Sequence, residues 1–141
     1  MDSSQTATMI YQIYKLGTGL LAKRLRKHKL NVDQAVSVLL IAKYNKINQQ
    51  EIGTKIGRSA ASMSNLMKSL ETRGFIFRIP DSRDDREKNL KLTAVGTKIA
   101  IEIKKEFDSI SDLIEDILED RESLVSELEN IRNQFRQMED L

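Results

Sequence analysis

Residues 81–93 read DSRDDREKNLKLT. The run before them, Phe75-Ile76-Phe77-Arg78-Ile79, is apolar and aromatic, and Leu90-Lys91-Leu92 within them alternates apolar and charged. Two strand-like runs joined by a charged loop predict a β-hairpin. The loop is longer than a tight two-residue turn and carries Arg83, Arg86 and Lys88. Reversing the chain does not need three cations at the tip of a hairpin; reaching a polyanion does.

Immediately upstream, residues 48–74 read NQQEIGTKIGRSAASMSNLMKSLETRG. Ile52 and Ile56 share one helical face and Gly57 follows, suited to the positive φ of a helix end. A second helical pattern starts at Ser59, a good N-cap, and places Met63, Leu66 and Leu70 on one face. Gly74 is its expected stop. Helix, short glycine-containing turn and helix form a helix-turn-helix. With the basic hairpin after it, the pattern predicts a winged helix.

These two stretches together resemble the multiple-antibiotic-resistance regulator (MarR) family. The wing signature is Asp81, Arg83, Asp84 and Arg86, then a short strand, then Leu92-Thr93-x-x-Gly96 opening a long helix. The resemblance extends over the chain in length and element order. One departure is Asn65, at a position where family members often carry Arg. The resemblance implies an arginine of the wing entering the DNA minor groove, Arg86 first and Arg83 second, with Asp84 orienting one of them. Asp81, beside Pro80, shapes the turn. It also implies a regulator of palindromic operators, most often a repressor, released by a small aromatic or anionic effector. The homodimer, built by the first helix and the last two, is read from the length of the apolar seam over residues 99–138, with an intrachain bundle as the alternative. Tyr11, Tyr14 and Tyr44 are candidates to line the effector pocket, with core packing as the alternative role of each.

In a helix-turn-helix the second helix lies in the major groove with its N-terminal residues at base edges. With Met63, Leu66 and Leu70 inward, the outward positions are Ala60, Ala61, Ser64, Asn65 and Lys68. Asparagine can pair bidentately with adenine, alanine can touch a thymine methyl, and serine is ambiguous. Lys68 is better placed for phosphate, and Arg58 and Ser59 sit at the helix start, where backbone N–H groups favour an anion.

The flanks complete a mainly α architecture. Residues 1–6 are polar and expected to fray. A helix is predicted over residues 8–29, with Met9, Ile13, Leu16 and Leu20 on one face and Ile10, Tyr14, Leu21 and Leu25 beside it, an apolar stripe wide enough for more than one neighbour. Gly17 and Gly19 within it suggest a close backbone approach or a bend. The helix ends in the cluster Lys23, Arg24, Arg26, Lys27 and Lys29, and His28 within that cluster reads as a surface residue. Asp33 is the expected N-cap of a second helix running to Tyr44. Thr93 is the expected N-cap of the long helix. Its apolar residues Ile99, Ile103, Phe107, Ile110, Ile114 and Ile117 recur at steps of three and four. Leu124, Leu128, Ile131, Phe135 and Met138 continue in the same phase, an a/d seam. Asp120 could cap a separate helix; the pattern leaves open whether the long helix breaks. The domain reading is an N-terminal dimerisation helix (1–30), a winged helix (31–95, motif 48–73, wing 75–93) and C-terminal dimerisation helices (96–141).

The chain has 141 residues, 40% of them apolar and 31% charged, and a net charge of only +2. That average conceals a division. Residues 1–101 hold 18 Lys and Arg against 8 Asp and Glu; residues 102–141 hold 5 against 13. A basic portion containing the motif and an acidic remainder fit a nucleic-acid face and a separate surface. Absence of cysteine excludes disulfides and thiolate metal sites on this chain, and one histidine cannot build a multi-histidine site. No signal peptide, membrane span, cofactor or metal is expected, and the expected location is the cytoplasm. No phosphate-cradling glycine loop or nucleophile–base motif is present, so the expectation is a regulator rather than an enzyme. The competing reading is a winged-helix protein-interaction module that does not itself read DNA sequence, with the acidic segment as its contact.

Overall fold

The computed structural model describes residues 2–81 and 84–139, and the side chains of residues 81–87 are not among those described. Among the described residues six α-helices and a two-stranded sheet follow in order: α1 (Ser3–Leu25), α2 (Val32–Lys43), α3 (Gln49–Ile56), α4 (Ala60–Thr72), β1 (Ile76–Asp81), β2 (Asp84–Leu92), α5 (Ala94–Glu115) and α6 (Arg121–Glu139). A single 3-10 turn, Arg26–His28, follows α1. This is the mainly α winged helix that the sequence predicts. By internal packing the chain divides into Met1–Phe107 and Asp108–Leu141.

The core of the first unit draws on every element of the winged helix. Leu25, Leu30, Val38, Ile41, Ile47, Ile52, Met63, Met67, Leu70, Phe75, Leu90 and Ile103 are all buried in one cluster. Burial of each such side chain stabilises by roughly 1.5–3 kcal/mol. The hairpin is antiparallel, with Ile76 opposite Leu92 and Arg78 opposite Leu90, and its register shifts between Pro80 and Asp81. The Leu90 N–H donates to the Ile47 carbonyl at 2.8 Å, and Asn48 bridges Asn89. That contact fastens the strand to the turn between α2 and α3.

Thr93 caps α5 as expected, its hydroxyl accepting from the Gly96 N–H at 2.9 Å. The same hydroxyl donates to the Gly74 carbonyl, and the Thr93 N–H donates to the Phe75 carbonyl at 3.0 Å. One threonine thus ties the exit of the wing to its entrance and starts the next helix. Gly96 then lies so close to the Phe75 carbonyl that a Cβ would stand 1.9 Å from its oxygen. The threonine and the glycine three residues later are both required for that crossing.

Several expectations need correcting. Residues 3–6 are helical rather than frayed, because Asp2 caps α1 by accepting from the Ser4 N–H. The first helix ends at Leu25, not Lys29, and Lys29 takes a left-handed conformation at φ 54. Asp33 does not cap α2; Asn31 does, in a reciprocal box with Gln34 (2.8 and 2.9 Å). The charged residues 84–89 are strand, not loop, since pairing runs out to Asp81 opposite Asp84. His28 is not a surface residue: its side chain is 15% exposed and 3.9 Å from Glu106. On the point that the pattern left open, the long helix does break, after Glu115, and Asp120 caps α6 by accepting from the Ser123 N–H at 3.0 Å. The apolar seam is therefore not carried on one continuous helix. Its first part, Ile99, Ile103 and Phe107, joins the winged-helix core. Beside Gly17 and Gly19 nothing lies within 4 Å of a built Cβ, and α1 continues unbroken through them.

Lys27 on the 3-10 turn meets Glu106 of α5 at 2.5 Å. The Lys27 hydrogen bond holds the Glu106 carboxyl below its ordinary value against the opposing effect of desolvation, with the charges of Lys27, His28 and Arg24 adding to the lowering. A carboxylate with a depressed folded-state pKa stabilises above its unfolded value, and that stability is lost as pH falls through the folded value. Glu106→Gln should therefore be less stable than the parent at neutral pH, by about 1 kcal/mol or less for a partly screened pair. The gap between the two should close as pH drops below the ordinary glutamate range. Parallel urea melts across pH check this; a gap independent of pH contradicts it.

Candidate nucleic-acid interface

α3 and α4 meet through a turn dictated by three local features. Gly57 ends α3 at φ 72, Arg58 N–H donates to the Gly53 carbonyl at 2.9 Å, and the Ser59 hydroxyl caps α4 by accepting from the Ser62 N–H at 3.3 Å. Gly53 permits close approach: a Cβ there would stand 2.9 Å from Met63 Cγ and 3.3 Å from the Arg58 carbonyl oxygen. Met63, Leu66, Met67 and Leu70 are buried along the inner face of α4. Met67 was not singled out by the sequence pattern, although it falls at helical spacing from Met63 and Leu70.

The opposite face is open. Ala60, Ala61, Ser64, Asn65 and Lys68 are all exposed, as are Arg58 and Ser59 at the helix start. The positions expected to face a partner thus lie together along the N-terminal two-thirds of α4. Ser64 is not independent: the Gln49 side chain of α3 donates to its hydroxyl at 3.2 Å. Gln49 was missed in the sequence reading, and its place in the first turn of the helix-turn-helix was the available signal.

Between α3, the start of α4 and the wing lies an open groove of about 680 Å³, lined by Asn48, Gln49, Thr54, Arg58, Arg78 and Lys88 among others. Two of its three cations are held from behind. Arg58 Nε lies 3.1 Å from Asp33 of α2, and Arg78 Nε 2.7 Å from Glu71 of α4. Such ion pairs, both partly exposed, fix side-chain geometry more than they stabilise the fold. Lys68 and Lys88 are exposed and have no carboxylate partner among the described residues. Arg78 was not predicted as part of this surface, since it sits within the run read as apolar and aromatic; in the hairpin it stands opposite Leu90. On the same hairpin, the Lys91 ammonium is occupied by the Asn45 carbonyl.

Of the wing residues, Arg83 lies outside the described residues, and so do the side chains of Asp81, Asp84 and Arg86. The three tyrosines stand in different settings. Tyr11 and Tyr14 are 60% and 63% exposed on α1. Tyr44 closes α2, half-buried, with the ammonium groups of Lys55 and Lys43 at 4.8 and 5.5 Å from its ring centre. None of the three lines the groove beside α4.

Residues 30–88 match the sequence model of the MarR family. The HTH-type transcriptional regulator SarZ of Staphylococcus haemolyticus is 23% identical over 129 residues, spanning 92% of this chain and 88% of that protein. FarR of Neisseria gonorrhoeae, also an HTH-type transcriptional regulator, is 31% identical over 81 residues, 57% of this chain and 56% of that one. Among solved structures, S. aureus MepR in its complex with DNA superposes with a TM-score of 0.78 at 20% identity, over 94% of this chain and 97% of that one. Among the described residues no helix is long and apolar enough to cross a membrane.

Proposed function

The chain belongs to the MarR family, and from that premise we propose that it is a sequence-specific DNA-binding transcriptional regulator that works as a homodimer on palindromic operators. The observation that carries this is the outer face of α4: small and amide side chains, all exposed, beside a groove whose Arg58 and Arg78 are already oriented. In this reading α4 enters the major groove, where Asn65 is the base reader, Ala60 and Ala61 meet thymine methyls, and Ser64 is oriented by Gln49. Arg58, Ser59, Lys68, Arg78 and Lys88 take phosphates, and Arg86, with Arg83, takes the minor groove, where narrow A·T tracts attract cations. Repression follows from occupancy of the promoter.

The homodimer is supported by apolar residues that the chain leaves uncovered: Ile13 and Leu16 on α1, Leu128 and Phe135 on α6. Release by a small aromatic or anionic effector is the further part of the reading. Its best support is Tyr44, an aromatic ring flanked by two ammonium groups, a setting suited to such a ligand; Tyr11 and Tyr14, both exposed on α1, are the further candidates.

The test is selection from a random duplex library by the full chain, then titration of the selected duplex at several salt concentrations. The selected sites should be palindromic, with half-site centres about 10 base pairs apart. The log–log salt slope should be steep, about −0.9 for each phosphate neutralised. Asn65→Ala should keep most of that slope but lose discrimination at one base pair per half-site, by about 1–3 kcal/mol. A flat salt response and no enriched sequence would instead support a protein-binding winged helix.

A further inference from the structure

The joint between α1 and the winged helix is held by a residue at the far end of α4. Arg73, which closes that helix, donates from Nη1 to the Lys29 carbonyl at 2.6 Å and from Nη2 to the His28 carbonyl at 2.8 Å. Its guanidinium also lies 4.7 Å from the Phe75 ring centre, at the entrance to the wing. Both carbonyls belong to the elbow where α1 ends, a 3-10 turn followed by Lys29 at φ 54. A left-handed lysine carries a conformational cost and persists where its surroundings fix it. The other side of the elbow is held by α5, through the contacts of Lys27 and His28 with Glu106. Two carbonyls bound by one planar fork is a geometry that arginine supplies and lysine, a point charge, does not.

We infer that Arg73 is a positioning residue for DNA recognition: it fixes the angle of α4 to α1, and hence the separation at which two copies present their recognition helices. The inference rests on the dimeric, DNA-binding reading above. Recognition helices meet bases with their N-terminal residues; Arg73 is at the opposite end and acts by holding the elbow rather than by touching DNA. Without it, α4 samples several angles to α1, and a palindrome of fixed spacing fits only part of them. The apparent dissociation constant rises by the inverse of the fraction that fits. A single half-site imposes no such requirement and is bound as before.

The experiment uses the full chain and a duplex selected by it, in three forms: the palindrome, the palindrome with its half-sites moved one base pair apart or together, and a single half-site. Arg73→Gln and Arg73→Lys are compared with the parent after circular dichroism and thermal melts establish the folded fraction. Arg73→Gln is expected to bind the palindrome about tenfold more weakly, if about a tenth of its population presents the fitting angle. Its half-site affinity should stay within about twofold, its salt slope should be unchanged, and its preference for the selected spacing over the shifted ones should weaken. Arg73→Lys should fall between the two on the palindrome. Equal losses on half-site and palindrome would overturn the inference in favour of a local structural role. A slope reduced by about 1 per subunit would overturn it in favour of a direct phosphate contact, and parent-like binding by both variants would overturn it outright. Should Arg73→Gln not fold, Arg73→Lys alone decides by the same comparison. Failure of the parent to select any duplex speaks against the DNA-binding reading, and is distinct from all of these.

Discussion

Gly96→Ala is expected to destabilise the winged helix by about 3 kcal/mol or more, the upper end of what overpacking costs. The added Cβ would stand 1.9 Å from the Phe75 carbonyl oxygen, 2.9 Å from its carbon and 3.2 Å from its Cα. All three are backbone atoms, so no side-chain rotation relieves the clash. Phe75 is also pinned: its carbonyl accepts from Thr93, and its own N–H donates to Leu70 at 3.0 Å. Relief requires moving α5 away from the wing entrance, which loosens the seating of Ala100 and Ile103, both buried in the common core. Intrinsic helix propensity points the other way, favouring alanine by up to about 1 kcal/mol. The two effects therefore predict opposite signs, and the magnitudes decide for the clash. In a thermal melt the midpoint should fall by roughly 10 °C for a chain of this size. An unchanged or raised midpoint would show that α5 does not cross Phe75 at this distance.

That crossing also illustrates what the sequence makes legible. Turn and cap chemistry is local, so Gly57, Ser59, Thr93 and Asp120 could be read directly, and each does what its residue type allows. The face of α4 was legible because burial of Met63, Leu66 and Leu70 leaves only one outward set. The length of the strands was not. Asp, Glu, Lys and Asn are poor strand formers, and pairing with β1 overrides their preference. The elbow was hidden for a related reason: a lysine at φ 54 carries no sequence signal, and the partner that binds its carbonyl, Arg73, is 44 positions away. His28 looked exposed because its sequence neighbours are cations; the Glu106 carboxylate, 3.9 Å from its ring, is on a helix far along the chain. Asn31 and Asp33 are both competent caps, and Gln34, three residues after the first and able to return its hydrogen bond, decides between them. The apolar periodicities of α1 and α6 were correctly apolar, but periodicity says nothing about which chain covers them.

Removing residues 121–141 is expected to leave a folded monomer that binds the palindromic duplex about 10²–10⁴-fold more weakly, because the second half-site is no longer met at high effective concentration. Within the described residues of α6 no side chain is buried. Val125, Leu128, Phe135 and Met138 are between 45% and 58% exposed. On α1, Met9, Ile13, Leu16 and Leu20 recur at the same three-and-four spacing and are also uncovered. Soluble monomers rarely leave contiguous apolar surface of this kind open, and a second copy offers the same surface in return. The residues of the winged-helix core all lie at or before position 107, so the truncation removes none of them. Far-ultraviolet circular dichroism should show the loss of one helix and retention of the cooperative melt. Light scattering should then report one chain where the full-length protein reports two. Half-site affinity should survive, because α4 and the wing are untouched, while the dependence on half-site spacing should vanish. A truncated chain that still scatters as a dimer would place the interface on α1 or the winged helix instead, and would leave the exposed apolar face of α6 without the role assigned to it.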